Sequence, residues 1–172
     1  MITNPEVNDL SEELSPEIQI LTFVLGEEEY GVNIVEVKEI IEYAPMTKIP
    51  SAPVYLRGVM NLRGSVVPVI DLATKFGFPE SKVTKRTCIV IAEVDHEGKK
   101  ELMGLIVDRV NQVMDILPDD IEPPPAFGTS IQSNFIRGLA KRDKTFIIIL
   151  AVDKILSLEE MKIGFSAFTA AK

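Results

Sequence analysis

Few residues in this sequence could do chemistry. The chain has one cysteine, Cys88, and one histidine, His96. An internal disulfide, a Cys-based zinc site and a His-rich metal site each need more of these residues, so all three are excluded. His96 lies between two acidic residues in a stretch expected to be a solvated loop, which offers no partner for a general base. Cys88 falls in a predicted strand, where a buried and unreactive thiol is expected.

The common catalytic and phosphate-binding motifs are also missing. The sequence has no Gly-rich phosphate loop, no G-x-S-x-G and no H-E-x-x-H. Carboxylates are plentiful, so a hydrolase with paired carboxylates stays open as an enzymatic alternative. Sites of that kind usually come with aromatic platforms for sugars, and the chain has no Trp and only three Tyr. The sequence therefore favours a protein that works through contacts, with no catalytic residues, cofactor or metal.

The charge of the chain narrows the classes of partner. With 18 basic and 26 acidic residues, the formal net charge is −8. Nonspecific binding to nucleic acid or to an anionic membrane draws on clustered positive charge, so both are disfavoured. The longest strongly apolar run, residues 146–152, is far shorter than the roughly 20 residues of a membrane helix. The first residues lack the pattern of a signal peptide, so a soluble cytoplasmic protein is expected.

The elements that must position any contact surface are mostly strands. β-Branched segments recur about every 8 to 12 residues with turn residues between them, which is typical of β-barrels or a sandwich. The predicted strands are 18–25, 30–32, 59–62, 66–70, 87–94, 101–107, 110–116, 135–140 and 145–152. Short helices are predicted near residues 34–40, where Asn33 can act as the N-cap, and near 71–76 and 153–161. The Pro-rich stretch 117–127 is expected to be extended.

The domain organisation is expected to be one folded unit between two tails. Residues 1–16 carry four acidic residues and no Lys or Arg, which is typical of a disordered acidic tail. The folded domain is predicted to span residues 17–161, and residues 162–172 form a C-terminal tail.

An internal repeat divides this domain into two similar parts. Arg57-Gly58 leads through a turn and an apolar strand to Asp71 and a short helix, and Arg137-Gly138 leads in the same way to Asp153. The spacing from Arg to Asp is 14 residues in the first copy and 16 in the second. We interpret the repeat as two small barrels in one chain. The alternative is a chance similarity of two hairpins.

Several motifs resemble the CheW family of bacterial chemotaxis coupling proteins. The resemblance is carried by Asn61-Leu62-Arg63-Gly64 followed by Val67-Pro68-Val69-Ile70-Asp71-Leu72, which together form a specific signal. Four further segments agree: 30–34 with 37–40, 104–108 with Val110 and Val113, 121–125 with Phe127, and 135–139. The resemblance covers about residues 18–161.

The resemblance implies a mostly β fold of two interlaced five-stranded SH3-like barrels with a few short helices. It also implies an adaptor without catalysis, which couples the cytoplasmic tips of chemoreceptors to the regulatory domain of the CheA histidine kinase. The protein would be cytoplasmic and recruited to receptor arrays at the membrane. The receptor-binding residues would be Val37, Glu39, Arg63, Gly104, Val110 and Val113, and Phe127 would face the kinase. The alternative is an acidic β-barrel module that binds a ligand or senses a signal apart from receptors.

Overall fold

The computed structural model describes residues 17–124 and 133–155 of the 172-residue chain. These residues form eleven strands, one short α-helix and four 3-10 turns. The strands are β1 (Ile18–Leu25), β2 (Glu28–Asn33), β3 (Val37–Glu42), β4 (Leu56–Leu62), β5 (Ser65–Asp71), β6 (Cys88–His96), β7 (Lys99–Val107), β8 (Arg109–Ile116), β9 (Ile121–Glu122), β10 (Ile136–Arg142) and β11 (Thr145–Leu150). The helix α1 spans Leu72–Lys75, and the 3-10 turns span Ile34–Glu36, Pro118–Asp120, Ser133–Phe135 and Val152–Lys154.

The strands form two sheets through which the chain passes alternately. One sheet has the order β8-β1-β2-β11-β10-β9, and the other has the order β3-β6-β7-β5-β4. The chain starts in the first sheet, builds the whole second sheet, and then returns to complete the first. The predicted interlaced, mostly β fold is thus confirmed, with a sixth strand of two residues, β9, added to one sheet.

The repeat seen in the sequence is a structural repeat. In each sheet a hairpin lies next to a strand that runs parallel to it. In the five-stranded sheet, β7 pairs in parallel with β5 of the β4–β5 hairpin. In the six-stranded sheet, β2 pairs in parallel with β11 of the β10–β11 hairpin. The register shifts at the same point of each copy, between Leu56 and Gly58 and between Ile136 and Gly138. A Cβ at either glycine would lie 2.4 Å from a neighbouring segment, which explains the glycine that follows each Arg.

Three apolar clusters hold the sheets together. One lies within the six-stranded sheet, around Ile20, Ile147 and Ile149, and one lies within the five-stranded sheet, around Val67, Val69 and Ile89. The largest combines residues from both sheets, including Phe23 and Tyr30 from one and Val90 and Leu105 from the other. Because the largest cluster takes residues from both sheets, neither sheet can keep this apolar face buried without the other.

The prediction of a helix near residues 34–40 is wrong beyond the first turn. Asn33 does act as the N-cap, since its side chain accepts a hydrogen bond from the Val35 amide at 3.1 Å. Only Ile34–Glu36 form a 3-10 turn, and β3 begins at Val37. The β-branched residues that follow suit a strand, and β3 is held by antiparallel pairing with β6. Glu39 therefore lies in the middle of a strand and does not end a helix.

The other predicted elements agree more closely with the structure. Helix α1 lies within the predicted range 71–76, with Asp71 as its N-cap. The predicted loop 95–100 is shorter than expected, because β6 and β7 continue to a tight turn at Glu97-Gly98. The Pro-rich stretch contains a 3-10 turn and β9. In the third predicted helix, 153–161, only the first residues are described, and they form a 3-10 turn.

Candidate functional site

The two charged residues expected at the receptor surface are in direct contact. The guanidinium of Arg63 forms an ion pair with the Glu39 carboxylate through both of its terminal nitrogens, one of them at 3.4 Å. Glu39 lies on β3, and Arg63 lies in the turn between β4 and β5. The ion pair therefore joins the two edges of the five-stranded sheet, β3 and the end of β4, so these edges lie close together. Its hydrogen bond to Glu39 raises the pKa of Arg63, which stays charged.

The turn that presents Arg63 has an unusual backbone. Arg63 and Gly64 both have positive φ, 50° and 91°, so the two residues form a tight hairpin turn with left-handed backbone. The Asn61 side chain accepts a hydrogen bond from the Gly64 amide at 2.7 Å and holds this turn. The Arg63 side chain is 70% exposed. The turn therefore projects an arginine into solvent from a position that usually suits Asn or Gly.

The three valines expected at the receptor surface lie on edge strands. Val37 is on β3 of the five-stranded sheet, and its side chain packs against the shared apolar cluster. Val110 is on β8 of the six-stranded sheet and packs against the same cluster. Val113, three residues further along β8, is 48% exposed. The two edge strands thus border the junction of the sheets. The register of β3 shifts between Val37 and Glu39, so Val37 pairs with Ala92 of β6 and Glu39 pairs with the adjacent Ile91.

Gly104 differs from the other expected site residues because it is buried. It lies in the centre of β7, paired with Val69 of β5 and Ile91 of β6. A Cβ at this position would lie 2.9 Å from Ile89 Cγ2 and 3.3 Å from Val69 Cγ2. Gly104 therefore permits close packing inside the five-stranded sheet and offers no surface for a partner.

The thiol of Cys88 is placed for packing against the shared apolar cluster. Burial raises its pKa, and Glu42 raises it further, although a backbone hydrogen bond from Val110 acts in the opposite direction. The thiol donates a hydrogen bond to the Arg86 carbonyl at 3.2 Å. Within residues 17–124 and 133–155, no group of three or more His, Cys, Asp or Glu side chains could hold a metal ion. Within the same ranges, no helix has the length and apolarity that crossing a membrane requires.

The aspartate of the first repeat copy organises the structure behind this surface. Asp71 is fully buried, and its carboxylate accepts hydrogen bonds from Arg57, Thr74, the Ala73 amide and both the amide and the hydroxyl of Ser81. The distance to the Arg57 guanidinium is 2.8 Å. Arg57 in turn contacts Glu80 at 3.1 Å. This network ties β4, α1 and the loop 77–86 together.

The aspartate of the second copy is held much more loosely. Asp153 lies 3.6 Å from the Arg137 guanidinium, and Glu36 lies at the same distance from the same nitrogen. One oxygen of each carboxylate is buried without a hydrogen-bond partner among the described residues. Burial raises the pKa of Glu36, and Asp153 raises it further, while Arg137 lowers it. Two carboxylates therefore share one cation next to the start of β3.

Sequence reasoning did not anticipate the contact between Glu36 and Arg137 or the network around Asp71. The repeated spacing from Arg to Asp was a signal for both ion pairs, but only the fold shows which other groups join them. It also did not single out Val35 and Ile40, which are 79% and 41% exposed beside the receptor-surface residues of β3. Phe127, expected to face the kinase, lies outside the described residues.

These features define a class of protein, a β-sheet module whose surface is built for contacts with other proteins. Two interlaced β-sheets share a core, and the expected site residues on the edge strands and in the turn between β4 and β5 provide a bidentate ion pair and apolar side chains. Surfaces of this kind recognise other proteins through shape and charge.

Comparison with known proteins agrees with this class. The model of the CheW-like domain matches residues 19–160. A chemotaxis protein CheW of Klebsiella aerogenes is 34% identical over 143 residues, covering 83% of this chain and 84% of the relative. A probable chemotaxis protein CheW of Rhizobium etli is 34% identical over 142 residues, covering 83% of this chain and 89% of the relative. The chain therefore belongs to the CheW-like domain family.

A solved structure matches the fold in three dimensions. It is the crystal structure of the scaffolding protein TtCheW from Thermoanaerobacter tengcongensis, with a TM-score of 0.75 and 38% sequence identity. The match covers 84% of this chain and 96% of that chain. The similarity thus extends over nearly the whole of a scaffolding protein and is not confined to one sheet.

Proposed function

We propose that this protein is a non-enzymatic scaffold of chemotaxis arrays that couples the cytoplasmic tips of chemoreceptors to the CheA histidine kinase. Membership of the CheW-like family and the similarity to a scaffolding protein support this function. Its place of action is the cytoplasm, at receptor arrays on the membrane. The protein is a single folded domain of residues 17–161 between two tails.

The observation that carries the proposal is the ion pair between Glu39 and Arg63 beside Val37. A helical receptor tip has an apolar stripe and charged residues along its flanks, and its recognition needs a matching groove and rim. Val37 and Val110 form the apolar part, and the exposed Val113 extends it along β8. Glu39 and Arg63 present opposite charges at the rim, which set the register of the partner. Gly104 supports this surface from within the sheet, and Phe127 is assigned to the kinase contact.

The test is a binding titration against a chemoreceptor signalling-domain fragment and, separately, the CheA regulatory domain. The first variant is Arg63→Asn, because Asn is well suited to the left-handed backbone of the turn and removes the charge without disturbing the fold. We expect receptor binding to fall by about tenfold and the loss to shrink at high salt. Binding of the kinase domain should change little.

The matched control is Lys144→Asn, which removes one positive charge from the equivalent turn of the other sheet. It should bind the receptor fragment as the wild type does. The double variant Arg63→Glu/Glu39→Arg keeps the ion pair but exchanges its two ends. If the exchanged pair binds the receptor fragment normally, the partner does not read these charges, and Arg63 and Glu39 have only an internal role.

A further inference from the structure

A cleft lies where the two sheets meet, at the opposite end of the five-stranded sheet from Arg63. Its volume is about 530 Å³, within the usual range for binding sites. Arg63 comes just before the first residue of β5, whereas the cleft lies beyond Asp71, the last residue. Six residues of strand correspond to about 20 Å, so the cleft is separate from the proposed receptor rim.

The cleft is apolar inside. Its apolar lining comes from the end of β1, from β2, from α1 and from the loop after α1, namely Leu25, Tyr30, Ala73, Phe78 and Pro79. Tyr30 and Ala73 belong to the buried core, while Phe78 is only partly buried and packs against the shared cluster. The rigid part of the fold therefore forms the floor, and a partly open aromatic side chain forms one edge.

Hydrogen bonds fix both walls of the cleft. On one side, the Asp108 carboxylate accepts from the Gly26 amide at 2.7 Å, and the Asp108 amide donates to the Val24 carbonyl at 3.0 Å. On the other side, Ser81 donates twice to the buried Asp71, and the Phe78 amide donates to the Ala73 carbonyl at 2.8 Å. A ligand entering the cleft would not have to order these loops, which favours binding.

The rim of the cleft is acidic. Glu27, Glu28, Glu80 and Asp108 line it, against a single cation, Lys82. Glu80 is paired with Arg57, but neither Glu27 nor Glu28 has an ion-pair partner in the described part of the chain. Burial and the negative charge of Glu28 together raise the pKa of Tyr30 to about 12, so its hydroxyl stays protonated. The open end of the cleft therefore carries net negative charge.

We propose that this cleft binds a peptide segment of a partner protein in which a Lys or Arg stands beside a large apolar side chain. The apolar side chain is removed from water against the floor, and the cation meets Glu27 and Glu28 at the rim. The same negative rim repels anionic lipid headgroups and nucleic acid. The site is additional to the receptor and kinase contacts proposed above, and it does not depend on the Arg63 ion pair.

The experiment selects short random peptides on the full-length protein and then titrates a synthetic copy of the selected peptide. The cleft variant is Glu27→Lys/Glu28→Lys, which reverses two exposed charges where the turn after β1 leads into β2. The matched control is Asp119→Lys/Asp120→Lys, which makes the same change in net charge at another exposed pair. We expect selected peptides that combine a basic and a large apolar residue, with binding weakened by about tenfold in the cleft variant and unchanged in the control.

A second variant, Phe78→Ala, tests the apolar lining of the cleft. It should weaken binding of the same peptide while the protein still melts cooperatively. The chemoreceptor fragment should bind both cleft variants normally, so failure of the cleft and failure of the receptor surface are distinguishable. Three results would overturn the proposal. The first is that the selected peptides lack basic residues. The second is that the Glu27→Lys/Glu28→Lys variant binds the selected peptide as tightly as the wild type does. The third is that a cleft variant loses binding of the peptide and of the receptor fragment together.

Discussion

Replacing Asp71 with Ala should destabilise the protein strongly because it removes the centre of a buried network. The carboxylate accepts five hydrogen bonds within the described structure, at 2.8 to 3.2 Å. Without it, the Arg57 side chain, which is 14% exposed, keeps only Glu80 as an acidic partner. Breaking a buried ion pair by removing one partner costs about 3–5 kcal/mol. For a chain of this size, that corresponds to a fall in melting temperature of roughly 6–20 °C.

The second repeat copy provides the matched control. Asp153→Ala removes a side chain that is 42% exposed and that lies 3.6 Å from Arg137, beyond hydrogen-bonding distance. The Asp153 oxygen that faces Arg137 has no hydrogen bond to lose within the described residues, and Arg137 keeps its contact with Glu36. An ion pair of this exposure contributes less than about 1 kcal/mol. The two equivalent aspartates should therefore differ several-fold in their effect on the free energy of unfolding.

The assay is urea unfolding followed by far-UV circular dichroism, with the slope m compared between variants. Asp71→Asn keeps the shape and one acceptor oxygen, so it should fall between the wild type and Asp71→Ala. This variant also keeps the comparison measurable if Asp71→Ala does not fold. Suppose that the Asp71 and Asp153 variants lose the same free energy of unfolding with unchanged m. That result would refute the idea that the hydrogen-bond network around Asp71 makes it the more important of the two equivalent aspartates.

Three further changes test other parts of the structure. Glu36→Gln should stabilise the protein relative to the wild type increasingly as pH rises from about 4 to 7, because a carboxyl whose folded pKa is raised destabilises the fold once it is ionised; a pH-independent difference would contradict this. Gly104→Ala should lower the free energy of unfolding by about 1–3 kcal/mol, as measured by denaturation, because its Cβ meets Ile89 inside the sheet. Phe127→Ser should weaken binding of the CheA regulatory domain in a titration while leaving the melting temperature nearly unchanged; a large fall would indicate a core residue.

The sequence predicted most of the strands because their apolar residues and turn residues are local signals, but it did not predict β3 or β9. It also located both copies of the repeat, since Arg57 with Asp71 and Arg137 with Asp153 are recognisable by spacing alone. The sequence could not show that the Arg57–Asp71 contact is stronger than the Arg137–Asp153 contact. The additional hydrogen-bond donors to Asp71 come from Ser81 and other residues that the fold brings near. The Asn33 cap was a correct local signal, but pairing of β3 with β6 determined what followed it.

The sequence provided candidate residues for the site but not their geometry. Glu39 and Arg63 were expected to flank one groove, which stays a prediction, and the structure adds that the two side chains form an ion pair. Gly104 was expected at the surface, although it lies inside the sheet. Both features depend on the position of β3 at the edge of the sheet and of β7 in its interior, which no single segment specifies.

The alternation of the chain between the two sheets has a consequence for synthesis on the ribosome. Strand β2 ends at Asn33, and its parallel partner β11 begins at Thr145, 112 residues later. At a translation rate of about 5–20 residues per second, the hairpin β1–β2 waits roughly 6–22 s for that partner. During this time one of its edges is open to other nascent chains. The five-stranded sheet, by contrast, is complete as soon as β7 emerges, so it is the unit that can fold first and shield the apolar face of the waiting hairpin.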